Sequence, residues 1–362
     1  MDFGLSQEQV MLQDAVGRYL DASGGLERTR RFAAVGEARA NDLIAGLAEL
    51  GVTGLLIPEE HGGSGLSLLD AALVAEQLGA HVTPAPFIGS SVLAPLALMR
   101  AGNAEQCARW LPDLAAGRVT AGVAISEMTG ARQDAGVDCR EGRLFGRALF
   151  VLDYEADVYI VADRQQRLHL VAADAAGLSR GRLTTIDVTR PTGELRFEGA
   201  QAEPLASGQD PNALMRGLID AGRLMLAADT LGAAQEMLDQ AVAYAKTRNQ
   251  FGRAIGSFQA VKHMCAEMAA ALEPCRALVW YAGHALDHLP AEASRVASHA
   301  KAHVSEVGTG VARTATEVHG GMGFTDLVGL HYWFKRIGFN RQALGGPQAV
   351  REDAAALAGL SA

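Results

Sequence analysis

The sequence has few cysteines and no close pair of them. Its four cysteines are scattered along 362 residues, at Cys107, Cys139, Cys265 and Cys275. Without a CxxC pair, neither a metal cluster nor a disulfide framework is expected, and reduced thiols are the default for such spacing. The sequence therefore predicts no metal site.

Long apolar runs and a targeting segment are missing as well. No apolar run approaches the ~20 residues that a membrane-spanning helix needs. The first residues, MDFGLSQEQVMLQDAVGRYL, lack both the positively charged start and the apolar core of a signal peptide. We therefore expect a cytoplasmic protein with no membrane partner.

Positive charge is also in short supply. The chain has 32 Lys and Arg against 41 Asp and Glu, which gives a formal net charge of -9. This balance argues against nucleic acid or an anionic membrane as the main partner, although it permits a local basic pocket for a phosphorylated ligand. The hydrophobic share of 49% and the charged share of 20% are ordinary for a globular enzyme of two or three domains.

The apolar pattern divides the chain into three regions and predicts an α+β fold. Residues 1–118 have helical periodicity, which begins at a capping box formed by Ser6 and Gln9. Residues 119–207 contain short β-rich runs such as GRLFGRALFVL and DVYIVADR, so a middle antiparallel β-domain is expected. Residues 208–362 carry long helical patterns, which predict a C-terminal four-helix bundle and an oligomer built through it.

Two residues of the last region carry local predictions. Ser257 is a plausible N-cap for the second long helix, because its hydroxyl is suited to accept from a free backbone N–H. Pro274 lies within the same helical pattern. Proline removes a helical hydrogen bond and clashes with the preceding turn, so we expect a kink or break there.

The connection between the first two long helices of this region has more chemistry than a linker needs. It reads TRNQFGRAIGSFQAVKH. Arg248 offers a planar fork of donors with a permanent charge. Gly252 and Gly256 permit tight backbone turns, Phe251 adds apolar surface, and Gln259 offers an amide. The combination favours a binding loop for an anionic ligand.

Three motifs together resemble the acyl-CoA dehydrogenase family. The connection is similar to the family's R-x-x-F-G-x-x-I-x-x-F-Q signature, VHGGMGFT to its G-G-x-G-[FY] turn, and GLLIPEEHGGSGLSLLD to its N-terminal P-E-x-x-G-G-x-G segment. They stand in family order over essentially the whole chain. The resemblance implies FAD-dependent oxidation of an acyl-CoA thioester to the 2,3-enoyl-CoA. It also implies a dimer or tetramer with FAD at a subunit interface, and an electron-transfer flavoprotein as acceptor.

The resemblance further implies which residues contact FAD. The connection and the glycine turn would hold the pyrophosphate and adenine end, largely across the dimer interface, through Arg248, Phe251, Gln259, Gly320 and Gly321. Glu317 stands where the family usually has a glutamine. The β-domain would face the flavin ring through Ile125, Ser126, Phe150 and Leu152. In that segment Met128 replaces the family's proline, and Ala131-Arg132 replace its Gly-Ser.

The chemistry also requires a base, because a carboxylate must remove the α-proton while hydride leaves the β-carbon. The two family positions for this glutamate hold Gly345 and Gly222 here. Asp220 is a weak candidate, since it lies about 200° round the helix from Gly222.

Three hypotheses therefore stand side by side. The chain is the subunit without the base in a heteromeric, steroid-type acyl-CoA dehydrogenase with a paralogous partner. Alternatively, it is a self-sufficient homomeric enzyme with an unorthodox base. The third hypothesis is a binding or scaffold protein that kept the fold.

Overall fold

The first part of the chain is helical, as the periodicity predicts. The computed structural model describes residues 4–37, 39–130, 132–205, 208 and 210–360. The capping box is confirmed, since Ser6 Oγ accepts from the backbone N–H of Gln9 at 3.2 Å and Gln9 Oε1 accepts from that of Ser6 at 3.0 Å. The helices are α1 (Gln7–Ala22), α2 (Gly25–Val35), α3 (Asn41–Glu49), α4 (Leu68–Ala80), α5 (Ala94–Ala101) and α6 (Ala104–Ala115), with a π-helical turn at Phe87–Leu93 before α5.

The middle of the chain folds into one eight-stranded sheet. Its strands are β1 (Ala121–Ala124), β2 (Gly136–Arg140), β3 (Arg143–Leu152), β4 (Val158–Ala162), β5 (Leu168–Ala172), β6 (Leu178–Arg182), β7 (Thr192–Gln201) and β8 (Glu203–Leu205). The order is β6-β7-β3-β1-β4-β5-β8, with β2 paired to β3.

The sheet departs from the predicted antiparallel arrangement at one pair of strands. β1 and β4 run parallel, with Val123 opposite Ile160, whereas every other pair in the described sheet is antiparallel. The cause is the order of the chain: β4 reverses direction after β3 but pairs on the other side of β1. The sheet is therefore mixed, within the expected α+β class.

Long helices return in the last part of the chain. They are α7 (Pro211–Thr247), α8 (Gln259–His288), α9 (Pro290–His319), α10 (Leu330–Gln342) and α11 (Pro347–Leu357), with a small hairpin of β9 (Asn249–Gln250) and β10 (Arg253–Ala254) between α7 and α8. α7, α8, α9 and α10 form the C-terminal bundle, and α11 packs on α9.

The break predicted at Pro274 and the cap predicted at Ser257 are both wrong. The helix runs unbroken through Pro274, which is exposed, and a kink there stays a prediction. Ser257 does not cap the helix, because its hydroxyl donates to the carbonyl oxygen of Ala254 at 2.7 Å and α8 begins only at Gln259.

One apolar core joins the N-terminal helices to the C-terminal bundle. α7 is buried on nearly every face along most of its length, and α4 packs across it. The two helices approach closely where Gly79 faces the backbone of Asp229 and Gly232 faces that of Glu76. A β-carbon on either glycine would overlap the opposing carbonyl group. α7 is therefore the central helix of the molecule.

Two kinds of feature do not occur in the described part of the chain. No helix there is both long and apolar enough to cross a membrane. No three His, Cys, Asp or Glu side chains gather there as a metal ion would require.

A buried ionic network attaches the sheet to the helices. Arg336 of α10 is completely buried, and its Nε donates to Asp187 Oδ2 at 2.7 Å. Its Nη1 donates to Asp229 Oδ2 of α7 at 3.2 Å, and its Nη2 donates to Thr189 Oγ1 at 2.6 Å. Asp187 and Thr189 belong to the β6–β7 connection. One guanidinium group therefore holds that connection against two helices.

One of these carboxylates, that of Asp229, also binds a second arginine. Arg190 Nη2 donates to Asp229 Oδ2 at 2.6 Å, and its Nη1 donates to the side-chain oxygen of Asn340 at 2.6 Å. Asn340 in turn donates to Asp229 Oδ1 at 2.6 Å. Buried charges are tolerated only when they are paired and hydrogen-bonded, and every member here meets that condition.

We expect Arg336→Leu to lower the free energy of unfolding by about 3–5 kcal/mol, because it removes the buried cation from Asp187 and one of the two buried cations from Asp229. Urea denaturation of the purified chain measures this. The matched control is Arg341→Leu on the same helix, which breaks only a surface pair with Glu306 and should cost no more than about 1 kcal/mol. Equal effects of the two substitutions would contradict the assigned role of Arg336.

Candidate active site

A cleft of about 530 Å³ lies between the β-domain and the C-terminal helices. One wall comes from the β-domain and the β6–β7 connection, and the other from α10 and the turn that follows it. The side chains and backbone that line it are Ser126, Thr129, Arg132, Phe150, Leu152, Thr184, Thr185, Ile186, Gly338, Phe339, Gln342, Ala343, Leu344, Gly345 and Gly346. The cleft thus contains one charged residue, an arginine, and no carboxylate among the described residues.

The β-domain wall brings together the residues predicted to face a flavin ring. Phe150 has a positive φ of 51° and is 37% exposed, so its ring projects into the cleft. The Arg132 guanidinium covers that ring, with Cζ 4.9 Å from the ring centroid. Ser126 is buried and donates its hydroxyl to the carbonyl oxygen of Phe150 at 3.0 Å. Leu152 and Ile125 are buried in the core.

The departures from the family pattern therefore have structural consequences. The Arg132 guanidinium lies over one face of the Phe150 ring. The Ser126 hydroxyl is already used, and Leu152 has no donor to offer. Ala131, the other half of the replaced Gly-Ser, lies outside the described residues.

The two family positions for the glutamate meet at one place. Arg223 Nε donates to the carbonyl oxygen of Leu344 at 3.1 Å, which brings α7 against the turn after α10. A β-carbon on Gly222 would overlap the side chain of Leu344. Gly345 follows directly, with φ of 103°, a conformation that side chains disfavour. The turn is therefore shaped for glycine, and Leu344 fills the space beside Gly222.

Asp220 lies apart from the cleft. It is only 1% exposed, and its Oδ2 accepts from the hydroxyl of Ser294 on α9. Burial raises the pKa of its carboxyl group, while hydrogen bonding to Ser294 lowers it. It is absent from the residues that line the cleft.

A buried lysine behind the turn is a feature that the sequence analysis missed. Lys301 of α9 is fully buried, and its Nζ donates to the carbonyl oxygens of Arg341 at 3.1 Å and Gly345 at 3.2 Å. Burial lowers the pKa of Lys301 to about 7, and the nearby cations Arg223 and Arg341 lower it further. The sequence offered one indication that Lys301 is buried: it lies four residues after Ala297, which places it on the same buried face of α9.

The second set of predicted contacts lies on an exposed loop. Phe251 and Gly252 form the two-residue turn of the β9–β10 hairpin, with φ of 53° and 75°. Phe251 is 91% exposed. Gln259 is exposed at the start of α8. Arg248 is exposed as well, and no hydrogen bond or ion pair from another described residue engages its guanidinium. The loop presents an open cation beside an uncovered aromatic ring.

The glycine turn after α9 is similarly open. Gly320 has φ of 57°, and a β-carbon on Gly320 or Gly321 would meet no atom. Glu317 is exposed one turn earlier. His319, between them in the chain, stacks on Tyr244 near the end of α7 with ring centroids 4.6 Å apart. The glycine turn therefore lies near the α7 end that carries Arg248.

These two sets of residues are far apart in one chain. Gly222, which contacts the cleft wall, and Arg248 are both on the continuous helix α7 or its C-cap. At 1.5 Å per residue they are separated by about 39 Å. The two sets of residues therefore lie at different places on the surface of one chain.

Comparison with known proteins gives a consistent result. Residues 6–118 match the model of the acyl-CoA dehydrogenase N-terminal domain, and residues 212–358 match that of the C-terminal domain. The chain is 31% identical over 350 residues to acyl-CoA dehydrogenase IpdE2 of Mycobacterium tuberculosis, which covers 95% of each chain. It is 29% identical over 310 residues to the caffeyl-CoA reductase-Etf complex subunit CarC of Acetobacterium woodii, covering 78% of this chain and 80% of that protein.

A solved structure supports the same relationship. The ChsE4-ChsE5 complex from Mycobacterium tuberculosis contains a chain that superimposes with a TM-score of 0.90 at 27% identity, over the full length of both chains. The sequence matches and the structural superposition thus relate this chain to the same group of proteins.

Lys301 generates a prediction about stability and pH. Its folded-state pKa of about 7 lies below the ordinary 10.5. Between these two values the unfolded chain binds more protons, so the contribution of Lys301 to the free energy of unfolding rises with pH, by up to about 1.4 kcal/mol per pH unit. We expect Lys301→Met to remove this rise in urea denaturation between pH 7 and 10, whereas Lys262→Met, at an exposed position, should leave it unchanged. An unaltered slope in Lys301→Met would refute the assignment.

Proposed function

The chain belongs to the acyl-CoA dehydrogenase family, and we propose that it is the subunit without the base in a heteromeric acyl-CoA dehydrogenase. The family is one of FAD-dependent oxidoreductases, in which bound FAD takes up the hydride that leaves the substrate β-carbon. The observation that carries the proposal is the convergence of Gly222 and Gly345 on a cleft without a carboxylate among its described lining residues. A partner chain supplies the base.

The exposed loop and the β-domain wall of this chain differ in how well they fit FAD. The exposed loop fits an anionic pyrophosphate, because the Arg248 guanidinium is open and the neighbouring glycines let a ligand approach the backbone. The β-domain wall does not fit a flavin ring, since Arg132 covers Phe150 and Ser126 and Leu152 offer no free donor. We infer that this chain completes the FAD site of its partner.

Glu317 is compatible with that role. A carboxylate beside a pyrophosphate would repel it. Glu317 lies on the exposed last turn of α9, before the glycine turn. It therefore has room to turn away from a ligand held by Arg248 and the backbone of Gly320 and Gly321.

The relatives support the choice of partners. The ChsE4-ChsE5 complex is named for two components, and CarC is named as a subunit of the caffeyl-CoA reductase-Etf complex. For this chain we propose a paralogous, glutamate-bearing acyl-CoA dehydrogenase subunit as partner, an acyl-CoA as substrate, and an electron-transfer flavoprotein as acceptor. An oligomeric contact would also cover Phe251.

The first test concerns the FAD contact. In the complex, Arg248→Ala should weaken FAD binding at least tenfold, because it removes a charge-assisted contact worth about 1.5–3 kcal/mol. Fluorescence titration of the apo complex with FAD measures this. The control is Arg351→Ala, an exposed arginine on α11, which should bind FAD as the parent does. Unchanged binding in Arg248→Ala would leave that arginine as a surface residue.

The second test concerns the base. We expect acyl-CoA oxidation only when the chain is co-purified with a family member that carries the glutamate, because loss of a general base typically costs 10²–10⁴-fold. Substituting that glutamate by Gln should abolish the rate, whereas Asp220→Asn in this chain should not. The complex should bind one FAD per pair of chains, since only one of the two ring-facing walls fits.

Two other outcomes would support the rival hypotheses. If the pure chain rapidly oxidises an acyl-CoA and Asp220→Asn abolishes that rate, it is a self-sufficient enzyme with an unorthodox base. If the pure chain is a colourless homodimer and no partner restores activity, it is a binding or scaffold protein.

A further inference from the structure

The cleft of this chain is left without an assigned ligand. It does not fit a flavin ring, yet it has the volume of a small-molecule site, which is typically about 300–1,000 Å³. Its lining combines apolar groups with a single cation, Arg132. The kind of ligand that the cleft would accept therefore depends on which N–H donors of Arg132 are unpaired.

Arg132 has an unused pair of donors. Its Nη1 donates to the carbonyl oxygens of Ser126 at 3.1 Å and Gly130 at 3.4 Å. No described residue accepts a hydrogen bond from its Nε or Nη2. These two N–H groups lie on one edge of the guanidinium plane, and that edge matches the two oxygens of a carboxylate.

The nearest carboxylate of the protein does not occupy that edge. Glu127 lies 3.9 Å from Arg132 Nη1, beyond hydrogen-bond distance. Its Oε1 accepts instead from the backbone N–H of Leu149 at 2.9 Å. Burial raises the pKa of the Glu127 carboxyl group. Arg132 is therefore only partly neutralised from within the chain.

Apolar side chains line the part of the cleft where the β6–β7 connection meets α10, and no carboxylate there opposes an anion. Ile186 of that connection is 60% exposed and lies against Gly338 of α10, and Phe339 and Ala343 face the cleft from α10 and the turn after it, beside the amide of Gln342. Behind this part of the cleft the Lys301 ammonium group donates to the carbonyl oxygen of Gly345, while the Arg223 charge is paired with Asp353. A ligand thus meets an apolar surface on one side and a cation on the other.

We propose that this cleft binds a small molecule with one carboxylate group on a compact apolar body. The Nε and Nη2 groups of Arg132 donate hydrogen bonds to the carboxylate, and Ile186 and Phe339 contact the apolar body. The inference rests on the proposed function in one respect, since it takes the flavin ring and the base to lie in the partner's cleft and not in this one. Its test needs no cofactor and no activity.

The experiment compares two probes of nearly equal shape. Cyclohexanecarboxylate and cyclohexanecarboxamide are titrated separately into the full-length chain at fixed ionic strength, and binding is followed by ligand-observed NMR. We expect the carboxylate to bind at least tenfold more tightly than the amide, because only the anion makes charge-assisted bonds. Inorganic phosphate, which lacks an apolar body, should compete weakly or not at all.

Variants then locate the site. Arg132→Gln should reduce carboxylate affinity at least tenfold without changing that for the amide, and Arg132→Lys should give an intermediate loss because it keeps the charge but not the fork. The control is Arg143→Gln, at the opposite end of β3, where the side chain bonds only Gly199 among described residues. Equal binding of acid and amide, binding that survives Arg132→Gln, absence of binding, or phosphate that competes as well as the carboxylate would overturn the proposal.

Discussion

The geometry of the cleft depends on one buried guanidinium. Arg336 holds the β6–β7 connection against α7 and α10 through Asp187, Asp229 and Thr189. Because all of these groups are removed from water, each needs its partner, and the connection has little freedom to shift. Thr184, Thr185 and Ile186 belong to the same connection and contribute to one wall of the cleft. An ionic network in the core thus fixes the width of a site at the surface.

The length of α7 is the second constraint. This helix passes the cleft near its beginning and ends at Arg248, about 39 Å further along. A rigid helix cannot bring these two places together. The exposed ring of Phe251 and the open guanidinium of Arg248 therefore lie far from the cleft of the same chain. This separation is the physical reason for proposing that the chain acts in an assembly.

The cleft has also changed its electrostatic character. Where the family holds a carboxylate, this chain has Gly345 and Gly222, with Leu344 packed between them. Two basic side chains lie around that place, Lys301 behind the turn and Arg132 in front of it. The proposed absence of a base and the proposed binding of a carboxylate at Arg132 are both consistent with this arrangement of charge.

The sequence alone determined the order of helices and strands and the family, because apolar periodicity and short motifs are local properties of the chain, and it is also the source of the prediction that Gly345 and Gly222 stand where the family has its glutamate. It could not reveal the parallel β1–β4 pair, the buried state of Lys301, or the contact between Arg132 and Phe150. Each of these depends on segments distant in sequence that meet only in the folded protein. The tertiary structure alone decided that Gly222 and Gly345 share one place and that Arg248 is too far away to serve it, since separation in space follows from helix length and packing.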